Sequence, residues 1–501
     1  MYKEINLLIT GSLKENYDRD ALWIKGKKYS YGFLSGMAGN IIPLIEKETK
    51  PVAILTYNCP ETYAAILASL VCGTGFVPIS PSFPTERVNK ILQLSECSTL
   101  LTIDINDRNK YKQINKTIIC SKLPETKQTI KNNKIPDNKI ACILFTSGST
   151  GEPKGVPVTF KNISCTLDAY FALGYGPDAN DRCLQMFEFT FDMSLISYLP
   201  ALLSGACVYS ISDDKYRFMN AFKIINDHKL TFAVFVPSTV ALVHKYLSSF
   251  LFPELKCCLF GGEPLHTTLL KEWVKCTPNS RQINISGPTE TTMACMGYEI
   301  DCKHFSGIKN HNGIIAFGKP WKNTRAIVVD KDCNILPEGT KGELCFSGDN
   351  VMNGYIKNTG LNNEKLFEKT IENKKYIFYR TGDAAYVDKE GDYYTCGRID
   401  LQVKIQGYRI EPTEIEAVCR EITGNTITAA IPYEKHEGLN AIKFFIEGED
   451  DMLIDKIGAC FKSKLPLYMI PDEIILLKKI PLNSNGKIDR NKLKESIENK
   501  H

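Results

Sequence analysis

Paired metal-ligand spacings, blocks of like charge and long uncharged runs are all scarce in this sequence. No Cys-x-x-Cys pair occurs among its 18 cysteines, and its 7 histidines form no His-Glu-x-x-His or comparable spacing, which argues against a zinc centre held by the protein. Most cysteines sit in apolar runs such as 140–144 and 206–209, where a free thiol packs as a small hydrophobe. A reducing, cytoplasmic setting is therefore expected instead of a disulfide framework. Lysine and arginine number 61 against 57 aspartates and glutamates, and the net charge of +4 is spread along the chain. Neither a nucleic-acid partner nor an anionic membrane surface is expected from that balance. The apolar stretch 5–9 is too short for the core of a signal peptide. Residues 63–83 carry no charge over 21 positions, but Gly73, Gly75, Pro78 and Pro81 divide them into a helix and a short strand. That division suits a buried α/β core and no membrane span.

What is present has the balance of a globular protein, 43% hydrophobic and 24% charged, and 501 residues exceed one ordinary core. Apolar strands at 51–57, 76–79 and 99–103 alternate with helices at 61–72 and 85–95, the pattern of a parallel sheet with helices on its faces. Residues 106–139, rich in Lys, Asn and Thr, read as an irregular surface connection. Strands resume at 140–146, 206–211, 232–236 and 256–260, and 313–355 has the short strands and glycine turns of a β-rich subdomain. Beyond a joint at 397–401, helices at 412–422 and 452–464 and strands at 427–432, 441–447 and 473–478 form a small α+β unit. The expected division is 1–399, an N-terminal core of parallel α/β sheets with the β-rich subdomain, and 400–501, a C-terminal domain.

Five polar segments stand out. The first, Leu144 to Val156, carries Thr146, Ser147, Gly148, Ser149, Thr150, Gly151 and Lys154 directly after a strand, a loop whose amides and hydroxyls can surround phosphate oxygens. It is not the common Gly-x-x-x-x-Gly-Lys-Ser/Thr loop, because Gly155 follows the lysine. The second, Asn284-Ile285-Ser286-Gly287-Pro288-Thr289-Glu290, is a polar turn with one carboxylate; the third, 379–383, places Asp383 after a tight glycine turn. The fourth, 397–411, mixes charges around Gly407, and the fifth, 481–490, sets Lys487 on an Asn-Gly turn. Each alone could be a surface turn.

Together, in this order and at these spacings, the segments resemble the adenylate-forming superfamily, which includes acyl-CoA synthetases, luciferases and the adenylation domains of non-ribosomal peptide synthetases. The resemblance runs from about Tyr29 to Leu493 and is greatest to the amino-acid branch, including stand-alone D-alanine–D-alanyl carrier protein ligases. It implies ATP and Mg²⁺ as cosubstrate and metal. Thr146 to Lys154 would hold the β- and γ-phosphates, with Thr146 among the catalytic groups, and Asn284 to Thr289 would complete the nucleotide site. Glu290 would carry Mg²⁺, whose charge offsets that developing on the phosphates. Asp383, with Arg398 nearby, would accept bonds from the ribose hydroxyls. Lys487 would bridge substrate carboxylate and α-phosphate, lowering repulsion between two anions. Asp400 would be the hinge about which a mobile small domain swings between two half-reactions. Lys404 and Gly407 would then line a channel for a phosphopantetheine arm on a carrier protein.

The segment 189–194 bears on the acid that is activated. The resemblance implies that Asp192, after Phe191, pairs with a substrate α-ammonium, a cation that a buried carboxylate needs; read from the sequence alone, it could also cap the helix that follows. The remaining positions implied for the pocket are Met193, Ile196, Phe235, Leu259, Gly261, Ile285, Met293 and Ala294, all apolar, so an aliphatic side chain from Ala-sized to Leu-sized is expected. Two departures from the pattern stand out: Ser286 replaces a usual Tyr against adenine, and Gly261 replaces the usual Cys of D-alanine ligases. The function expected is an amino acid–carrier protein ligase, with an acyl- or aryl-CoA ligase of the same superfamily as the alternative and a non-catalytic nucleotide-sensing or partner-binding module as a third reading.

Overall fold

The computed structural model describes residues 3–124, 130, 134–148, 152–211, 217–423, 427–436, 438–448, 452–483 and 488–498. Two sheets of mainly parallel strands dominate the large part of the chain. In one, Lys116–Ile119, Thr99–Thr102, Val52–Leu55, Phe76–Ile79 and Ile140–Thr146 lie side by side in parallel, and Lys154–Thr159 returns antiparallel at the edge. The other runs in parallel from Arg281–Ser286 through Cys257–Phe260, Phe232–Phe235, Arg182–Gln185 and Cys207–Ser210 to Asp20–Ile24, with antiparallel strands at both edges. Their central strands are buried at every residue, as Val52–Leu55, Phe76–Ile79 and Phe232–Phe235 are, because helices cover both faces. The uncharged run 63–83 is part of this core: Pro60–Cys72 is a helix buried almost throughout, ended by Gly73 in the left-handed region.

One expectation needs correcting. Residues 106–139 are not wholly irregular, since Lys116–Ile119 extends the first sheet as an outer parallel strand. Only Ile118 and Ile119 are buried there, so an edge position with little apolar surface to cover hid the strand from its composition.

The β-rich subdomain is an antiparallel sheet of Thr324–Val329, Gly342–Gly348, Lys374–Val387, Leu366–Ile371 and Tyr393–Arg398. It ends at Arg398, beside the joint. A short hairpin, Val403–Ile405 with Tyr408–Ile410, leads into a three-stranded sheet of Thr428–His436, Leu439–Glu447 and Glu473–Leu477, flanked by helices Pro412–Thr423, Met452–Lys464 and Arg490–Glu498. Two apolar clusters, one around Ile410, Phe444 and Phe461 and one around Ala429, Phe445 and Leu493, belong to this segment alone. The hairpin projects from it towards the large domain, where Tyr408 stacks on Phe191 with ring centroids 5.8 Å apart.

Candidate active site

A cavity of about 200 Å³ lies where the strand ends of the second sheet, the β-rich subdomain and the hairpin meet. Its wall carries Asp192, Ser286, Asp383, Arg398, Lys404 and Arg409, so segments far apart in sequence converge on one space. Ligands of open parallel sheets bind beyond the carboxyl ends of the strands, and Asn284 to Thr289, which span one such end, lie in this wall.

Asp192 is the first residue of the helix Asp192–Ser204 and is 6% exposed. Its Oδ2 accepts the Thr289 hydroxyl at 2.7 Å, and among the described residues no cation lies within ion-pair distance of it. Burial pushes its pKa up, against the Thr289 hydrogen bond and the field of Lys404. Such a carboxylate is unsatisfied as an anion and would be stabilised by a cation arriving from the cavity. Asp192 does not serve as the N-cap, a place held by Phe191.

Glu290 is fully buried in the turn Thr289–Thr291, and both its oxygens are occupied. The Tyr355 hydroxyl donates to Oε1 at 2.6 Å, and Arg409 Nη1, from the hairpin, donates to Oε2 at 2.7 Å. Burial would raise its pKa, but Arg409 and Lys154 outweigh that and hold it at about 2. The carboxylate is thus ionised with a cation already at its side. An ionised oxygen donor suits Mg²⁺, and Arg409 stands at the carboxylate as a monovalent cation, so the chemistry of the residue implied for the metal fits it.

Ser147 and Gly148, at the start of the loop before Lys154, are met by the small domain in the same way. Ser147 donates its hydroxyl to the Arg409 carbonyl at 2.6 Å and accepts the Glu411 amide at 3.2 Å. The Gly148 amide donates to Glu414 Oε2 at 3.1 Å, while Glu414 Oε1 pairs with buried Arg87 at 2.6 Å. Gly148 has no room for a side chain, because a Cβ there would lie 2.1 Å from the Glu152 carbonyl oxygen. Lys154, buried, lies 3.4 Å from Glu411; burial and Arg409 lower its pKa to about 8. The amide, hydroxyl and ammonium expected to face phosphate each face a carboxylate or carbonyl of residues 409–414.

At the opposite wall Arg398 Nη1 donates to Asp383 Oδ1 at 2.8 Å and makes a two-pronged contact with Asp400, both bonds 2.6 Å. Lys404 lines the cavity; burial lowers its pKa, while Asp383 and Asp192 act to raise it. Gly407 has φ +84°, and a Cβ there would meet Phe191 and Val236 at 2.8 Å, so only glycine lets the hairpin tip approach this closely.

Of the apolar positions expected around a substrate side chain, Met193 and Ile285 reach the cavity. Ile196, Phe235, Leu259, Met293 and Ala294 are buried behind them, with Phe235 packed against Phe222, Phe260 and Trp273. Gly261 lies between: a Cβ there would come within 2.9 Å of Ile285 and 3.1 Å of Met193, whose side chains close over it. Thr146, whose hydroxyl has no partner among the described residues, lies at the end of its strand against a smaller adjoining cavity. Ser149, Thr150, Gly151 and Lys487 lie outside the described residues. The sequence reading gave no role to Arg409, Glu411, Glu414, Tyr355 or Glu263, although the first two fall within the charged segment it singled out.

The AMP-binding enzyme family matches residues 12–356. Bacitracin synthase 3 of Bacillus licheniformis is 30% identical over 95% of this chain, which spans 8% of that relative's length. A D-alanine–D-alanyl carrier protein ligase of Bacillus velezensis is 28% identical over 93% of this chain and 94% of its own. Among solved structures, the Vibrio cholerae adenylation domain AlmE, in complex with glycyl-adenosine-5'-phosphate, superposes with a TM-score of 0.87 at 24% identity, over 100% of this chain and 98% of that one. At that identity the likeness speaks for the fold.

Proposed function

The chain belongs to the AMP-binding enzyme family, and from that premise we propose that it activates an amino acid with ATP and passes it to a carrier-protein thiol. In the first half-reaction the substrate carboxylate attacks the α-phosphorus of ATP, the bond to the β-phosphate breaks, and aminoacyl-AMP and pyrophosphate form. In the second, a phosphopantetheine thiolate attacks the acyl carbon and AMP leaves with the bonding electrons.

The observation that carries the amino-acid reading is Asp192, a carboxylate buried at the cavity wall with a hydroxyl and no cation in contact. A substrate ammonium would complete it, and an acid lacking an amine would leave it unpaired, which disfavours the acyl- or aryl-CoA alternative. Asp383 and Arg398 would take the ribose hydroxyls, and Mg²⁺, held by Glu290 when bound, would offset phosphate charge. Lys404 and Gly407 reach the cavity, as an arrangement for acyl transfer requires. Rotation about Asp400 would withdraw them together with Arg409 and bring in Lys487 for adenylation. Because Met193 and Ile285 close the cavity's apolar end, the reading favours a small to medium aliphatic side chain. Free thiols throughout the described chain suit a cytoplasmic setting.

The test is amino-acid-dependent ATP–pyrophosphate exchange, measured over L- and D-amino acids and their deamino analogues. Exchange with small aliphatic amino acids well above that with the matching deamino acids is expected. Preference for deamino acids would move the chain to the CoA ligases, and no AMP formation with any acid would favour the non-catalytic reading.

A further inference from the structure

Glu263 follows Gly261 and Gly262 directly after the strand Cys257–Phe260, and its carboxylate lies in the cavity wall. Its two oxygens accept from different domains. Oε2 takes the amide of Ser238, in the first turn of the helix Pro237–Leu242, at 2.9 Å; Oε1 takes the amide of Gly407, at the hairpin tip, at 2.7 Å. The first bond anchors the carboxylate to the large domain in any arrangement. The second exists only while the hairpin is docked.

The contact sits where position matters. Gly407 is held against Phe191 and Val236, and Lys404, three residues earlier on the hairpin, stands in the cavity with Asp383 and Asp192 acting on its charge. An error in the depth or register of the tip would therefore displace Lys404 and the backbone expected to flank a thiol arm. Packing against Phe191 limits how far the tip can enter, but it is non-directional. A charge-assisted bond to one backbone amide has both length and direction. When the small domain turns away, Glu263 exchanges that amide for water, which an ionised carboxylate accepts at little cost.

We propose that Glu263 is a positioning residue for acyl transfer, holding the Gly407 amide so that the hairpin docks in one register, while contributing little to adenylation. The inference rests on the two-half-reaction reading given above. It is tested with Glu263→Gln, which keeps the shape but turns an NH₂ towards one of the two amides. Exchange of ATP with pyrophosphate is measured with the best substrate among glycine, D- and L-alanine, valine and leucine. Transfer is then followed in a single turnover from the same pre-formed aminoacyl-adenylate to pantetheine. Transfer should fall about tenfold more than exchange, the size of one lost charge-assisted bond. Backbone amides of 403–410 should also exchange with deuterium faster than in the wild type. Equal losses in both half-reactions, or unchanged transfer, would overturn the proposal. Should the glutamine variant lose its melting transition, Glu263→Asp, which retains the charge but falls short of Gly407, is read by the same ratio. If the wild type itself shows no exchange or no transfer, the functional reading fails and not the role of Glu263.

Discussion

The two ends of the cavity differ in how their charges are satisfied. At the end built from Thr146 to Gly148, Lys154 and Glu290, the Ser147 hydroxyl, the Gly148 amide, the Lys154 ammonium and the Glu290 carboxylate each have a partner from residues 409–414 of the small domain, and the Thr146 hydroxyl alone among these described groups has none. At the other end Asp192 holds one hydroxyl, and among the described residues nothing from the small domain is in ion-pair contact with it. The charges at the first end are thus paired without a ligand, and the charge at the Asp192 end is not. An arrangement in which Arg409, Glu411 and Glu414 fill the phosphate end is incompatible with a bound triphosphate there, yet leaves room for an aminoacyl group beside Asp192. Under the function proposed above, this is what the enzyme would need after pyrophosphate has left and before the acyl group has been transferred.

The largest effect that would break this contrast is expected from Lys487→Ala. If the small domain delivers Lys487 only when residues 409–414 withdraw, the substitution removes the cation between two anions and should slow adenylation by roughly 10²–10³-fold. Transfer from a pre-formed adenylate should be nearly unchanged, and a similar loss in both half-reactions, measured separately, would end the two-arrangement account.

Asp192→Ala tests the unpaired end. Loss of a carboxylate that pairs a desolvated substrate ammonium costs roughly 2–5 kcal/mol. kcat/KM for the amino acid should drop accordingly, with the ATP KM little altered and the deamino analogue far less affected. Equal losses for both acids would make Asp192 a structural residue.

Arg409→Ala tests the paired end. Glu290 would be left buried and ionised without its cation in the docked arrangement, and breaking one partner of a buried pair costs roughly 3–5 kcal/mol. Part of that cost is avoided by undocking, so a loss nearer tenfold in transfer is expected, with a smaller change in adenylation. Single-turnover rates for the two steps distinguish this from general destabilisation, which would lower both.

The same contrast explains what could be read from the sequence. Helices such as Thr85–Ser95 and strands such as Phe76–Ile79 are written in local periodicity and breakers, and Asp192, Glu290 and Asp383 sit in segments whose polarity is anomalous for their surroundings. The pairing of Arg409 with Glu290, of Glu414 with Gly148 and of Glu263 with Gly407 depends on how two separately folded units dock, which no local pattern records. The closure of Met193 and Ile285 over Gly261 is likewise a matter of rotamers in three dimensions. The outer strand Lys116–Ile119 was missed for the opposite reason: as an edge it needs too little apolar surface to announce itself.

The smallest effect expected concerns Ser286, which lies between the two ends. It closes the strand Arg281–Ser286 and lines the cavity, at a position where the superfamily pattern has Tyr against adenine. A serine offers no π-face, but Phe317 and Phe346 line the same cavity, so the base is not without aromatic surroundings. An aromatic stacking contact is worth about 0.5–1.5 kcal/mol beyond the area it covers. If the space beside Ser286 is where the base lies unstacked, Ser286→Tyr should lower the ATP KM by roughly two- to tenfold, with kcat and the amino-acid KM little changed. If Phe317 already stacks on the base, the added ring would compete for the same space and the ATP KM would rise; Phe317→Ala would then raise it as well. Measuring both variants decides which face of the nucleotide the cavity holds, and a Tyr variant with altered amino-acid selectivity would instead place Ser286 at the substrate end.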